Sequence, residues 1–167
     1  MILNFLVIGA VVLILLVLIR RIPMAMEIKH KEESPVTAKE IISVSLTVQA
    51  NDAFEAKDYR KAEELYIKAA SQDPNNVKVY NHLGIIYLEQ ANYYDAKDAF
   101  LQAIKLERDI PSYYVNLGLA YMGLKDYFKA CQVFQKALQL EPKNKKYEGL
   151  FERAKKFRER EQKRGKR

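Results

Sequence analysis

The residues able to carry chemistry are few and scattered: His30, His82 and Cys131. A histidine near its ordinary pKa can serve as a general base or a pH switch, but catalysis needs a nucleophile or acid beside it. His82 has no such neighbour, and the chain holds only one other histidine. Cys131 reads as a small packing residue on a helix. A single cysteine allows no intramolecular disulfide, and with two histidines it makes no structural zinc site. No phosphate loop, paired acid/base motif or metal-ligand spacing occurs. The sequence therefore predicts neither an enzyme nor a bound cofactor.

The other chemical signal is charge. The 167 residues carry 28 Lys and Arg against 21 Asp and Glu, a net of +7. Such a balance invites nucleic acid or anionic lipid as a partner. The charge is not spread over the chain, however. Residues 143–167 hold 12 basic and 4 acidic side chains, whereas residues 34–142 hold 12 basic and 14 acidic. The middle is close to neutral and shows no nucleic-acid-binding stripe. The basic candidates are Lys155, Lys156, Arg158, Arg160, Lys163 and Arg164. Three readings of this tail stay open. It can be a solvated capping helix with Glu152–Lys156 and Glu159–Lys163 pairs. It can touch anionic lipid headgroups. It can bind RNA, for which Phe157 is the sole stacking residue near its end.

The elements that position these groups begin with an apolar run. From Ile2 to Ile19 the chain has no charge and one polar side chain, Asn4. At about 1.5 Å per residue the run is just long enough to cross the hydrocarbon core of a bilayer. A cleavable signal would place basic residues before the run; here Arg20 and Arg21 come after it. The expectation is a retained anchor over residues 1–20. The arginines predict an N-terminus outside and the rest of the chain on the cytoplasmic side of the cell membrane. Residues 21–36 read as a juxtamembrane linker. Thr37 and Glu40 then form a capping box that should open the first helix of the folded part.

A period of 34 residues organises the rest of the chain. Tyr80, Leu83, Gly84 and Tyr87 fall on Tyr114, Leu117, Gly118 and Tyr121. Ala62, Tyr66 and Ala69 fall on Ala96, Phe100 and Ala103, and these on Ala130, Phe134 and Ala137. Each period contains two amphipathic helical stretches, so it is a helical hairpin. Gly84 and Gly118 are costly in a lone helix and point to a close partner helix, with Ala96 and Ala130 as the facing small residues. Pro74 and Pro142 should stop the second helices. Low Gly and Pro content and abundant Ala, Leu, Lys and Glu agree with an all-α chain.

The pattern aromatic-x-x-Leu-Gly-x-x-Tyr, then Ala-x-x-x-Phe and Pro, resembles the tetratricopeptide repeat. Unit 111–144 carries every element of that signature: Tyr114, Leu117, Gly118, Tyr121, Ala130, Phe134, Ala137 and Pro142. Unit 77–110 lacks only the closing proline, a role Pro111 is expected to assume. Unit 43–76 is degenerate in its first helix, with Leu46, Gln49, Ala50 and Ala53 at the signature places. The resemblance implies an α-solenoid over residues 37–144. A capping helix over 145–167 would cover the last hairpin through Tyr147, Leu150, Phe151, Ala154 and Phe157.

The same resemblance implies a protein-binding module that holds a peptide or helix of a partner against the first helix of each unit. In this chain that face would present Asn51 and Phe54, then Asn81, His82, Ile85 and Leu88, then Asn116, Leu119 and Met122. Asparagine amides can bond a ligand's backbone while apolar neighbours add affinity. One subclass grips the terminal carboxylate of chaperone tails. Its places correspond here to Thr47, Asn51, His82, Ser112 and Asn116. Only Asn51 fits, and both cations of the third repeat are missing, so the sequence argues against that ligand. The expected whole is a membrane-anchored scaffold or adaptor. The alternative is an assembly factor acting through its basic tail.

Overall fold

The computed structural model describes residues 37–165 as seven α-helices. They are α1 (Ala38–Glu55), α2 (Tyr59–Gln72), α3 (Val77–Glu89), α4 (Tyr93–Leu106), α5 (Pro111–Gly123), α6 (Tyr127–Leu140) and α7 (Lys145–Arg164). The expected anchor at 2–19 and linker at 21–36 lie outside the described residues. Among the described residues no helix is long and apolar enough to cross a membrane.

Local signals set the helix ends. The Thr37 hydroxyl accepts from the Glu40 N–H at 3.2 Å, and the Glu40 carboxylate accepts from the Thr37 N–H at 2.7 Å. This reciprocal box starts α1 one residue after Thr37. Asp58 and Asp126 cap α2 and α6 by accepting from the N–H three residues on, both at 3.1 Å. Pro74 and Pro142 lie just past the ends of α2 and α6. Pro111 instead opens α5 at its first turn, where its missing N–H costs nothing, so α4 ends without a proline.

Within each hairpin the chain reverses through one residue in the left-handed region: Lys57 (φ 59°), Ala91 (φ 57°) and Lys125 (φ 61°). The N–H of each bonds to a carbonyl three residues back, and the next N–H bonds to a carbonyl five back. These bonds satisfy the helix end as a glycine cap would, at the steric cost of a Cβ.

The hairpins α1/α2, α3/α4 and α5/α6 stack in order, and α7 packs on α6. One fully buried aromatic fills each: Tyr66, Phe100 and Phe134, spaced by the period. A Cβ at Gly84 would stand 2.5 Å from the Phe100 ring, and one at Gly118 would likewise overlap Phe134. The glycines therefore face an aromatic ring rather than the expected Ala96 and Ala130, which are buried nearby on the same helices as Phe100 and Phe134. In the first hairpin Ala50 takes the glycine's place, and the filler is Tyr66. Its buried hydroxyl donates to Asn51 Oδ1 at 2.6 Å, which satisfies a group that would otherwise be stranded.

The degenerate first repeat has a polar seam. Ser43 is fully buried and donates to the Ala69 carbonyl at 3.1 Å, while Thr47 donates to the Ser43 carbonyl at 2.8 Å. At the other end Ala154 of α7 is buried, with Tyr147, Leu150 and Phe151 against the α6 core. Cys131 is buried in that cluster, and burial pushes its thiol above the ordinary range.

Candidate partner-binding groove

The first helices α1, α3 and α5 supply the face on which a ligand would lie. The polar residues expected there already have partners within the protein. Asn51 holds the Tyr66 hydroxyl. The His82 ring stacks on Tyr66 at 5.2 Å between centroids and meets the edge of Phe54 at 5.6 Å. Its Nδ1 lies 2.9 Å from the Lys78 carbonyl oxygen. A carbonyl can only accept, so Nδ1 carries the hydrogen and the ring is oriented. Phe54, Tyr66 and His82 thus form a three-ring joint between the first two hairpins.

Asn116 donates through Nδ2 to Asn81 Oδ1 at 3.2 Å. This bond spans neighbouring repeats and orients both amides. Among the described residues neither the Asn81 amino group nor Asn116 Oδ1 has another partner. The pair therefore keeps donor hydrogens at one end and an acceptor at the other. One peptide unit of an extended chain offers the complement, a carbonyl and an N–H. Ile85 and Leu88 are half-buried and pack against Ala96, Phe100, Leu117 and Ala120, where they tie the second and third hairpins together.

Leu119 and Met122 lead to a cavity of about 260 Å³ lined also by Gly123, Tyr127, Phe134, Leu150, Arg153 and Phe157. Its walls come from α5, α6 and α7. Gly123 has no room for a side chain, since a Cβ there would overlap the Tyr93 ring of α4. From the sequence Leu150 and Phe157 are expected as cap residues, Phe157 also as a stacking residue of the tail, and Arg153 does not stand out. Repeat geometry explains this: α7 occupies the place of a further first helix, so its inner face joins the groove. Also unforeseen are Val44 and Val48, 59% and 55% exposed on α1. Shifting by one period puts them on Lys78 and His82, a correspondence the signature positions alone do not report.

On α7, Lys155 pairs with Glu152 at 3.7 Å, three residues away, in place of the expected Glu152–Lys156 pair. Lys156, Arg160, Lys163 and Arg164 are exposed, while Arg158 is half-buried with its Nε shielded and without a hydrogen-bond partner among the described residues. Arg153 and Arg160 flank the Phe157 ring at 6.0 and 5.9 Å, and Phe157 stacks on Tyr127 at 5.2 Å. The tail after Phe157 is therefore not wholly free of packing, because long basic side chains cover aromatic surface with their stems.

Two family models, both described as tetratricopeptide repeat, match residues 111–144 and 53–117. No curated protein sequence matches the chain. Among solved structures, the TPR domain of Arabidopsis OM64 is 25% identical with a TM-score of 0.68, covering 71% of this chain and 98% of that one. The second TPR domain of human RPAP3, solved with the HSP70 peptide SGPTIEEVD, is also 25% identical, with a TM-score of 0.67 and the same coverage, 71% and 98%. The Sgt2 TPR domain from Aspergillus fumigatus is 24% identical with a TM-score of 0.66, covering 72% and 82%, and shows the shared fold.

Proposed function

The chain belongs to the tetratricopeptide repeat family, and from that premise we propose a membrane-anchored adaptor that holds a segment of a partner protein against α1, α3 and α5. The bond between Asn81 and Asn116 carries this reading. It fixes two half-exposed amides so that a peptide group can bond them without their having to reorganise. The peptide held by the RPAP3 domain supports an extended segment as the ligand class. The apolar run at 2–19 and the arginines behind it support a single-pass anchor with the repeats on the cytoplasmic side. In this role the protein brings a partner to a surface and does no chemistry on it.

The test is to replace both amides, Asn81→Ala with Asn116→Ala. Removing donor and acceptor together leaves no buried group unpaired, so the helices should melt as before. Two neutral ligand bonds lost should weaken partner capture by the full chain about tenfold or more. Unchanged capture would overturn the reading. A reporter fused to the C-terminus tests the orientation, and activity on the non-cytoplasmic side would reverse it. The row of cations on α7 favours a second reading, contact with anionic lipid or RNA. That reading requires steeply salt-dependent binding that is lost on removing residues 158–167.

A further inference from the structure

Charge climbs along the solenoid. Basic and acidic residues number 4 and 6 over 43–76, 4 and 5 over 77–110, 4 and 2 over 111–144, and 9 and 4 over 145–165. Within α7 the charges also sort by face. At about 3.6 residues per turn, Lys145, Lys156 and Lys163 fall on one row, at i, i+11 and i+18. Lys146, Arg153, Arg160 and Arg164 fall on a second row beside it, at i, i+7, i+14 and i+18. All seven are exposed. Together they cover a sector of about 100° that runs the length of the helix, roughly 30 Å, and the one other residue in it is Gly149. Glu148, Glu152 and Glu159 stand on a row of their own, and Glu152 pairs with Lys155, outside the sector. Among the described residues none of the seven cations has a carboxylate partner.

A sector this long, with no carboxylate in it, complements an extended sheet of negative charge. Residues 20–37 separate the apolar run at 2–19 from α1, a stretch that reaches at most about 60 Å. Three hairpin steps of about 10 Å each lead from α1 to α7, well within that reach. Resting on the reading of the run as an anchor, we propose that the cationic sector of α7 docks on the anionic headgroups of the same bilayer, which fastens the solenoid to the membrane at both ends. Each cation brought to such a surface strengthens attachment about fivefold. The anchor makes the docking intramolecular, which spares most of the cost of finding the surface. The first two hairpins are net negative and are repelled by it, so the field selects the α7 end. A strand of RNA is less well matched. The sector holds no aromatic ring, and Phe157, at its edge, is half-buried with one face against Tyr127. Fastened twice, the repeats hold a captured segment close to the bilayer instead of at the full reach of the linker.

The test is lysine footprinting of the full chain, inserted in vesicles and acetylated with a reagent that does not cross the bilayer. Vesicles of phosphatidylcholine alone are compared with vesicles that contain about 30% phosphatidylserine. Phosphatidylserine should slow acetylation of Lys145, Lys156 and Lys163 about fivefold or more, and about 0.5 M salt should restore it. Lys68, Lys105 and Lys136, exposed on α2, α4 and α6, should react alike in both. The triple change Arg153→Glu, Arg160→Glu and Arg164→Glu should abolish the protection. Lys68→Glu, Lys105→Glu and Lys136→Glu together alter charge by as much and should leave it intact. All the substituted side chains are exposed, so helicity and melting serve as the folding control. Lysines of α7 that react alike in both vesicles would overturn the inference. So would equal loss of protection in the Lys68/Lys105/Lys136 variant, which would reduce the attraction to net charge. Protection as strong from polyuridine RNA, at equal phosphate in phosphatidylcholine vesicles, would overturn the choice of lipid. A chain that alkaline carbonate strips from both vesicles refutes the anchor, and the docking falls with it. An inserted chain without protection refutes the docking alone.

Discussion

One substitution, glycine to alanine, should have opposite signs at two helical positions, and the packing around each decides which is which. At Gly84 an added Cβ would meet three atoms of the Phe100 ring at 2.5 to 2.7 Å. Ordinary contact begins near 3.4 Å, so the ring would have to move by almost 1 Å. Phe100 is fully buried and has nowhere to go. Overpacking of this kind costs about 3 kcal/mol, the upper end of its usual range. Alanine recovers about 1 kcal/mol through helix propensity. The net loss is therefore about 2 kcal/mol, or a fall in Tm of about 8 °C for a domain this size. At Gly149, in the second turn of α7, nothing lies within 4 Å of the added atom and the residue is exposed. Only the propensity remains, so Gly149→Ala should gain about 1 kcal/mol and about 4 °C. Urea and thermal melts followed by helical circular dichroism measure both. A double change, Gly84→Ala with Phe100→Leu, should cost about 1 kcal/mol less than the sum of its parts, or better, because the smaller side chain makes room. A Gly84→Ala protein as stable as the parent, or an additive pair, would refute the packing argument. A destabilised Gly149→Ala would refute the propensity argument.

Ala91→Gly should stabilise by about 0.5–1 kcal/mol, since relief of the left-handed strain exceeds the extra chain entropy of glycine; a lower urea midpoint would contradict this. Burial, then the nearby Glu55 carboxylate, pushes the Tyr66 hydroxyl up to about 12, and burial, then Glu63, does the same for Tyr87. Their folded values lie above the unfolded one, so their stabilisation is complete below about pH 10 and is lost as pH climbs toward 12. Tyrosinate absorbance should show these two of the 11 tyrosines ionising last, as the helices melt; a single step for all 11 would refute it. Burial raises the Asp126 carboxyl, but the Lys129 ammonium at 2.9 Å and its backbone N–H outweigh this and hold it below the usual range. Its contribution is present at neutral pH and lost as pH falls through that lowered value. Asp126→Asn, which keeps a capping acceptor, should therefore lose less stability than the parent between about pH 7 and pH 3 in urea melts.

The hairpins were legible because each carries its information in one linear period. The apolar faces recur 34 residues apart, the closing prolines Pro74 and Pro142 stand two periods apart, and the capping box at Thr37 lies within four consecutive residues. Partnerships between elements were not legible. A helical face pattern placed Gly84 opposite something on α4 but could not choose Phe100 over Ala96, since side-chain reach is absent from a periodicity. Asn81 and Asn116 each stood out as polar positions, yet their mutual bond depends on the stacking of one repeat on the next. The same holds for His82, whose ring is fixed by Phe54 and Tyr66 from two other helices. Val44 and Val48 escaped because the first unit departs from the signature where the others are recognised. Lys57, Ala91 and Lys125 gave no turn signal, because none of them is the residue type that usually adopts their conformation.

Those three turns agree to within 4° in φ despite unlike side chains. Every hairpin thus turns on the same local backbone geometry, whatever side chain stands there. Duplicating the 34 residues from 77 to 110 should lengthen the groove by one step without adjusting the flanking stages. Each junction would then join surfaces of kinds already present in the protein. Lineages that need a longer ligand contact could reach it by copying existing sequence rather than by inventing new packing.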